Sequence, residues 1–428
     1  MRKLPWALKA LAILVVPAVA LMIWYVYWPE IPKVPRPARS AFPEEFIKRG
    51  EQLAAVGDCI VCHTPENGQP FAGSRALPTP FGTLFSDNIT PDEETGIGNW
   101  SEEAFARAMK RGIARDGSHL YPALPYEHFT HVTDEDVKAI YAFLMTRQPV
   151  AKVAPPNKLL PGLNFRPLLA GWQLLFLHDT PFEPDSSRTE QWNRGKYLVE
   201  GLGHCGGCHT PRNIAGGEEG WRNLDGGVAE GWNAPPLNSE NPSASTWTEE
   251  ALFTYLKTGS SAGHSVAAGP MGPVAEGLSR VNDPDVRAIA NYVSTLMQAN
   301  AADKTGPVTA IDKSDIAAEL HPEGSRLFEG SCDGCHGTRA PMTLHDRAEL
   351  WSVTDLKMAD PNNAIMAVLE GIPSPLADAP FMPAFAPNLG DKEIADLLAY
   401  ARARFTNEPE WKDLKDQVAS ARKELPKP

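Results

Sequence analysis

Helical spacing of apolar residues recurs along the chain in short segments, which loops rich in glycine and proline separate. In segment 100–112, apolar residues recur three or four positions apart behind Ser101 and two glutamates, and segment 247–259 repeats this layout behind Thr248. Serine or threonine favours the start of a helix, acidic residues suit its first turn, and both segments end in glycine. Each segment is therefore predicted to be one helix.

The same order of elements occurs three times. A looser version of the middle helix is predicted at 363–371. A helix that begins with acidic residues closes each repeat, at 133–144, 283–293 and 391–400. Each repeat opens with a short amphipathic segment that contains a glycine, namely Gly50, Gly195 or Gly324. The pattern predicts a mainly α-helical chain with three tandem units.

The N-terminus has a different pattern. Positions 10–28 carry no charge and are long enough to span a bilayer, and basic residues at positions 2, 3 and 9 precede them. We therefore predict a transmembrane anchor over residues 1–30, with the remainder outside the inner membrane. The alternative is a signal peptide cleaved after Ala18-Val19-Ala20.

Composition narrows the class of protein. The 428 residues include 53 acidic residues against 40 lysines and arginines, which gives a net charge of -13. No basic surface for nucleic acid is expected from this balance. The 40 prolines and 34 glycines favour short helices joined by long loops.

The six cysteines carry the chemistry, because all of them fall in Cys-x-x-Cys-His motifs. The motif residues are Cys59, Cys62 and His63; Cys205, Cys208 and His209; and Cys332, Cys335 and His336. In such a motif two thiols add across the haem vinyl groups and the adjacent imidazole binds the iron. Three covalently bound haem c groups are predicted.

Three other interpretations of the motifs are a zinc knuckle, a thioredoxin-type redox pair and disulfides. Zinc requires four ligands gathered from paired motifs. A disulfide framework gives no reason for a histidine after each cysteine pair. Haem c accounts for all nine residues.

A second axial ligand for each iron is sought among methionine and histidine side chains. Met271 lies in a Gly/Pro loop before the second closing helix, and Met382 has the corresponding place in the third repeat. These two are the predicted ligands. The alternatives in the third repeat are Met342, Met358 and Met366.

The first repeat has Leu124 at the position equivalent to Met271, and leucine cannot bind iron. His128 is the predicted ligand, with His119, His131 or an open coordination site as alternatives. A second imidazole would give this haem the lowest potential of the three, because imidazole stabilises ferric iron more than a thioether does.

These patterns define the domains. After the anchor we predict class I cytochrome c domains at 40–150, 189–300 and 313–408, a linker at 151–188, and a solvated helix or tail of mixed charge at 409–428. The linker contains an apolar stretch, 164–177, too short to span a bilayer. This stretch either packs between the first two haem domains or rests on the membrane or a partner subunit.

From about residue 45 to 407 the chain resembles the tri-haem cytochrome c subunit of bacterial membrane-bound periplasmic dehydrogenases, which act on alcohol, gluconate, sorbitol, fructose or aldehydes. Segments 121–144, 164–176 and 192–212 carry the resemblance. It implies proximal ligands at the three motif histidines and distal ligands at Met271 and Met382. The alcohol and sugar branches have methionine where this chain has Leu124. Its version, Leu-Pro-Tyr-Glu-His-Phe, is similar to the branch partnered with molybdopterin hydroxylases of aldehydes or N-heterocycles, which use an iron–sulfur subunit.

The predicted function is electron transfer from a dehydrogenase catalytic subunit to ubiquinone or a terminal oxidase, at a bacterial inner membrane with the haem domains in the periplasm. We find no phosphate-binding glycine loop and no nucleophile elbow for substrate chemistry in the sequence. The alternatives are the cytochrome subunit of a flavin- or quinone-dependent alcohol or sugar dehydrogenase, a peroxidase-like enzyme that uses the first haem, and the cytochrome subunit of a terminal oxidase.

Overall fold

The computed structural model describes residues 25–65, 67–261, 264–299, 310–337, 340, 349–374, 376 and 381–425. They belong to two compact units that meet in sequence between Glu183 and Pro184. Most of the regular structure is helical, as predicted. Within the described residues no helix has the length and apolar character needed to cross a bilayer. The predicted anchor at 10–28 falls almost wholly outside those residues.

The first unit contains six described α-helices and a three-stranded antiparallel sheet of order β1-β2-β3. The helices are α1 (Glu44–Val56), α2 (Cys59–His63), α3 (Glu102–Arg111), α4 (Tyr126–Phe129), α5 (Asp134–Met145) and α6 (Leu168–Phe176). The strands are β1 (Ala76–Thr79), β2 (Gly82–Phe85) and β3 (Lys158–Leu159).

The second unit has more helices and one hairpin, in which β4 (Gly227–Ala229) pairs with β5 (Trp232–Ala234). Its first helices are α7 (Glu190–Lys196), which continues as a π-helical turn (Tyr197–Leu202), α8 (Gly206–His209), α9 (Glu249–Thr258), α10 (Met271–Ser279) and α11 (Asp283–Gln298). The later ones are α12 (Ser314–Leu320), α13 (Pro322–Ser331), α14 (Asp333–His336), α15 (Thr354–Lys357), α16 (Asn362–Glu370), α17 (Asp391–Phe405) and α18 (Leu414–Glu424).

The middle helices begin and end where the sequence predicts. The Ser101 side chain accepts a hydrogen bond from the backbone N–H of Ala104, and Gly112 ends α3 in the left-handed conformation with φ 63°. Helix α9 has the same arrangement, with Thr248 at its start and Gly259 at its end. The helix predictions for 100–112 and 247–259 are confirmed.

Each repeat contains a close crossing between its opening and closing helices, at the glycine that the sequence singles out. A Cβ atom on Gly50 would lie 1.9 Å from the carbonyl oxygen of Ala139, so no larger residue fits. The corresponding distances are 2.0 Å from Gly195 to Ala288 and 2.1 Å from Gly324 to Asp396. We call the three helix sets module 1 (44–145), module 2 (190–298) and module 3 (322–405).

An ion pair fixes the crossing in the first two modules. Arg49, directly before Gly50, donates from Nε to Asp136 Oδ1 over 2.8 Å. Arg194, directly before Gly195, donates from Nε to Asp285 Oδ1 over 2.7 Å. The repeated arrangement places the haem motif of each module next to the end of a rigid helix pair.

Two segments outside the modules pack on them. Within the linker, β3 pairs with β2 and α6 buries Gln173 in the first unit. The expectation of a solvated C-terminal tail is wrong, because α18 packs on module 3 and Val418 is fully buried. Arg422 also donates to Asp391 Oδ1 over 2.6 Å.

Candidate haem-binding sites

The first two motifs have the same local backbone. The residue directly before the first cysteine, Asp58 in module 1 and His204 in module 2, has a positive φ of 49° and 38° respectively. Each motif then forms a short helix that ends at its histidine. Non-glycine residues adopt this conformation rarely, and it persists where the surrounding structure imposes it. The turn into the motif is therefore constrained by the fold.

The histidines of these two motifs are held at two points. His63 Nδ1 lies 2.7 Å from the carbonyl oxygen of Asp87, and His209 Nδ1 lies 2.6 Å from that of Pro235. A carbonyl oxygen only accepts, so Nδ1 carries the proton in both rings. The backbone carbonyls of the same histidines accept from the N–H groups of Gly73 and Gly226 over 2.7 and 2.8 Å.

This arrangement suits an axial haem ligand. Metal-binding histidines usually donate their second ring N–H to a carbonyl or carboxylate, which fixes the ring and the tautomer. Within the described residues Nε2 of His63 and His209 makes no hydrogen bond. Burial lowers the pKa of both rings, which favours the neutral form that binds metals. The residues of these two sites fit haem c.

The six motif cysteines are all among the described residues. All six cysteines are free thiols, and no disulfide joins them. Burial raises the pKa of Cys59, Cys205 and Cys332 to about 12, with the neighbouring cysteine a smaller cause in each pair. Over the described part of the chain, no group of three or more histidine, cysteine or acidic side chains is placed to hold a metal ion.

The third motif forms the short helix α14, which directly follows α13. Cys332 is buried in the module 3 core, whereas Cys335 is half-buried. Residues 338–339 and 341–348, which follow this motif, lie outside the described residues. Iron ligation by His336 stays a prediction.

The two candidate methionines lie in different backbone settings. Met271 is the first residue of α10, directly after Pro270. Met382 pairs with Ile372 in an antiparallel bridge, with hydrogen bonds of 2.8 and 2.9 Å in the two directions. Both side chains are half-buried.

The alternative methionines differ from these in placement. Met366 lies within α16 and packs on the module 3 core, whereas Met358 follows α15. Met342 is outside the described residues. Ligation by Met271 and Met382 stays a prediction.

The three histidines of the first ligand loop are in distinct environments. His128 is on α4 and is 8% exposed. The ring of His131 is half-buried, and its Nδ1 lies 2.5 Å from the carbonyl oxygen of Thr180. Leu124, at the equivalent methionine position, lies in the turn before α4.

His119 is the least suitable of the three as an iron ligand. Its Nδ1 lies 2.5 Å from Gln173 Oε1 and its Nε2 lies 2.8 Å from the carbonyl oxygen of Val26. Both ring nitrogens are therefore in use, and iron ligation would break at least one of these bonds. The geometry favours His128 or His131, and the choice of His128 stays a prediction.

In addition to His119 in the first repeat, the second repeat contains a buried histidine that the sequence does not single out. His264 lies in the loop after α9, is 5% exposed, and stacks on Trp247 with ring centroids 3.8 Å apart. Its Nε2 contacts the carbonyl oxygen of Thr246 over 3.1 Å. The only sequence signal was its place after Gly259, as His119 follows Gly112.

Comparisons with known proteins identify the family of this chain. Residues 47–148 match the family model "Cytochrome c", and residues 319–400 match "Cytochrome C oxidase, cbb3-type, subunit III". The gluconate 2-dehydrogenase cytochrome c subunit of Pantoea cypripedii is 37% identical over 408 residues, which cover 89% of this chain and 90% of that protein. The chain belongs to the family of dehydrogenase cytochrome c subunits.

Other members of this family are similar over most of the chain. The fructose dehydrogenase cytochrome subunit of Gluconobacter japonicus is 34% identical, over 88% of this chain and 82% of that protein. One nicotinate dehydrogenase subunit of Pseudomonas putida is 45% identical over 92% of this chain. This chain spans only 33% of the length of that protein. Similarity to gluconate, fructose and nicotinate dehydrogenase subunits confirms the predicted resemblance.

Proposed function

We propose that this dehydrogenase cytochrome c subunit carries three covalent haems and passes electrons from a catalytic subunit to an acceptor at the membrane. The observation that carries the proposal is the repeated histidine geometry. In modules 1 and 2 a backbone carbonyl accepts a hydrogen bond from Nδ1 of the motif histidine. The second ring nitrogen, Nε2, is the atom that would bind the iron. When bound, haem c supplies a one-electron couple between ferric and ferrous iron.

The protein residues in this proposal bind and orient the haems. The cysteine pairs 59/62, 205/208 and 332/335 would hold them covalently, and His63, His209 and His336 would be the proximal ligands. His128, Met271 and Met382 would complete the coordination. We propose domain boundaries of 40–150, 189–300 and 313–408 for the three haem domains.

The catalytic partner is proposed to be a molybdopterin dehydrogenase of aldehydes or N-heterocycles, with an iron–sulfur subunit. The 45% identity to the nicotinate dehydrogenase protein supports this, since it exceeds the 37% and 34% identities to the gluconate and fructose dehydrogenase subunits. Leu124, in place of the methionine of the alcohol and sugar branches, also supports a molybdopterin partner.

We further propose a periplasmic location for the haem domains, an N-terminal anchor at 10–28, and ubiquinone or a terminal oxidase as the acceptor. The uncharged run behind basic residues supports the anchor. The terminal-oxidase alternative for the chain itself has narrower support, because that family model matches only residues 319–400.

Two measurements on the native membrane complex test the proposal. The haem content of the denatured chain should be three haems per polypeptide, and the double variant Cys59→Ala/Cys62→Ala should contain two. Addition of the partner's aldehyde or N-heterocycle substrate to the anaerobic complex should reduce the haems. A ratio of two haems in the unmodified chain contradicts the haem count, and a co-purified flavin or quinone enzyme contradicts the partner.

A further inference from the structure

Helix α6 buries its polar side chain and exposes apolar ones, the opposite of an ordinary surface helix. Its glutamine, Gln173, is 3% exposed, whereas Leu168, Leu174 and Leu175 are 57%, 68% and 68% exposed. Phe165, just before the helix, is 60% exposed. The sequence carries no charged residue from 167 to 177. Four exposed apolar side chains within eleven residues indicate a contact with something other than water.

The inner face of α6 is fixed to module 1. Gln173 Nε2 donates to the carbonyl oxygens of Arg111 and Gly112 over 3.2 Å each. The Trp172 ring packs edge-on against Tyr126, with centroids 5.9 Å apart. The exposed leucines are therefore held on a rigid support rather than on a mobile loop.

The same side chain connects α6 to the end of the predicted anchor. Gln173 Oε1 lies against His119 Nδ1, and His119 Nε2 lies against the carbonyl oxygen of Val26. The His119 ring thus bridges α6 and Val26, which lies near the end of the apolar run 10–28. Further along, Arg107 Nη1 donates to the carbonyl oxygen of Pro29 over 2.8 Å, which holds the exit of that run against module 1.

We propose that the outer face of α6, formed by Phe165, Leu168, Leu174 and Leu175, lies in the headgroup–acyl boundary of the lipid bilayer. This inference rests on the proposed anchor, because a span that ends near Val26 brings the membrane surface to the adjacent helix. Nine residues are too short to cross the bilayer, so α6 lies along its surface. Phospholipid is the partner, and module 1 is fixed close to the membrane.

Spin labels on the full-length chain in phosphatidylcholine–phosphatidylglycerol vesicles test the contact. The variants are Leu174→Cys and Leu175→Cys, with Ile214→Cys as control, since Ile214 is an apolar residue that is fully exposed. Collisions with oxygen report lipid, and collisions with a water-soluble nickel chelate report solvent. At positions 174 and 175 we expect an oxygen-to-nickel accessibility ratio at least threefold above that at 214.

The other outcomes overturn the proposal. A ratio equal to that at position 214 means a solvated face, and low accessibility to both reagents means that protein covers it, either a partner subunit or residues 1–24. Vesicle flotation of the same samples tests the anchor separately. If the chain floats and the labels are solvated, only the α6 contact fails, and if the chain does not float, the anchor itself fails. Haem content of each variant checks its fold.

Discussion

Modules 1 and 2 hold their motif histidines in the same way and differ at the predicted second axial ligand. His63 and His209 each donate to a backbone carbonyl and are each fixed by a glycine N–H. At the predicted ligand position module 2 has Met271, whereas module 1 has Leu124 at the equivalent position and His128 four residues later. In the proposed function the motif residues attach each haem, and a different second ligand sets a different potential for each haem.

The close crossing between the opening and closing helices, which all three modules share, should be the feature most sensitive to mutation. Gly324→Ala places a methyl group 2.1 Å from the carbonyl oxygen of Asp396, so the helices must separate. We expect a loss of about 3 kcal/mol in the free energy of unfolding of module 3, since overpacking of a tight crossing is costly. Chemical denaturation followed at the module 3 haem measures it.

Gly330→Ala is the matched control, because Gly330 is on the same helix and a Cβ there meets no atom within 4 Å. Alanine there should stabilise the helix by about 0.5 kcal/mol. Equal effects of the two substitutions would show that helix propensity, not the crossing, matters at position 324.

Local features of this fold follow from the sequence, and tertiary ones do not. Ser101 and Gly112 mark the ends of α3 because capping depends on residues within one turn. The Cys-x-x-Cys-His motifs are recognisable in the sequence because their spacing is typical of haem c attachment. The burial of Val418 depends on packing against module 3, and no local pattern separates it from a solvated amphipathic helix. The hydrogen bonds of His119 to Val26 and Gln173 likewise join residues remote in sequence.

Exchange of the distal ligands sharpens the comparison between modules 1 and 2. His128→Ala should remove the bis-histidine low-spin signal of one haem and give a high-spin iron that binds carbon monoxide, while Met271→Ala should leave that signal intact. The unmodified haem of module 1 should have the lowest potential of the three, because imidazole stabilises ferric iron. Low-temperature electron paramagnetic resonance and redox titration measure both effects.

Persistence of the bis-histidine signal in His128→Ala would transfer the assignment to His131, which should then be replaced. Absence of that signal from the unmodified protein would remove the proposed difference between the modules and favour an open iron.

A smaller effect is expected from the hydrogen bonds of Gln173, which join α6 to module 1. Gln173→Leu leaves His119 Nδ1 and the carbonyls of Arg111 and Gly112 without their partner, at a cost of about 2 kcal/mol. Thermal unfolding of the first unit should shift, while the exposed control Gln148→Leu in the same unit should have little effect. Equal stability of the two variants would contradict a structural role for this network and reopen His119 as a ligand.

The smallest effect concerns a contact between modules 2 and 3. Asn363 pairs with the backbone of Asn233 through bonds of 2.8 and 2.7 Å, two residues before the carbonyl that holds His209. Asn363 Nδ2 also lies 3.1 Å from Asp355 Oδ1. Burial raises the pKa of Asp355, and the hydrogen bond from Asn363 offsets this only in part.

The sign of the pH dependence follows from that shift. A raised pKa means that the folded state binds the proton more tightly than the unfolded state, so this group stabilises the fold below its ordinary pKa and the stabilisation is lost as pH rises through the raised value. Asp355→Asn keeps an acceptor for Asn363 and removes the charge. The variant should unfold at a higher temperature than the unmodified protein at pH 7.5, with the difference shrinking towards pH 4, whereas the exposed control Asp360→Asn should show no such trend. A difference independent of pH would show that Asp355 ionises in the folded protein as freely as in water.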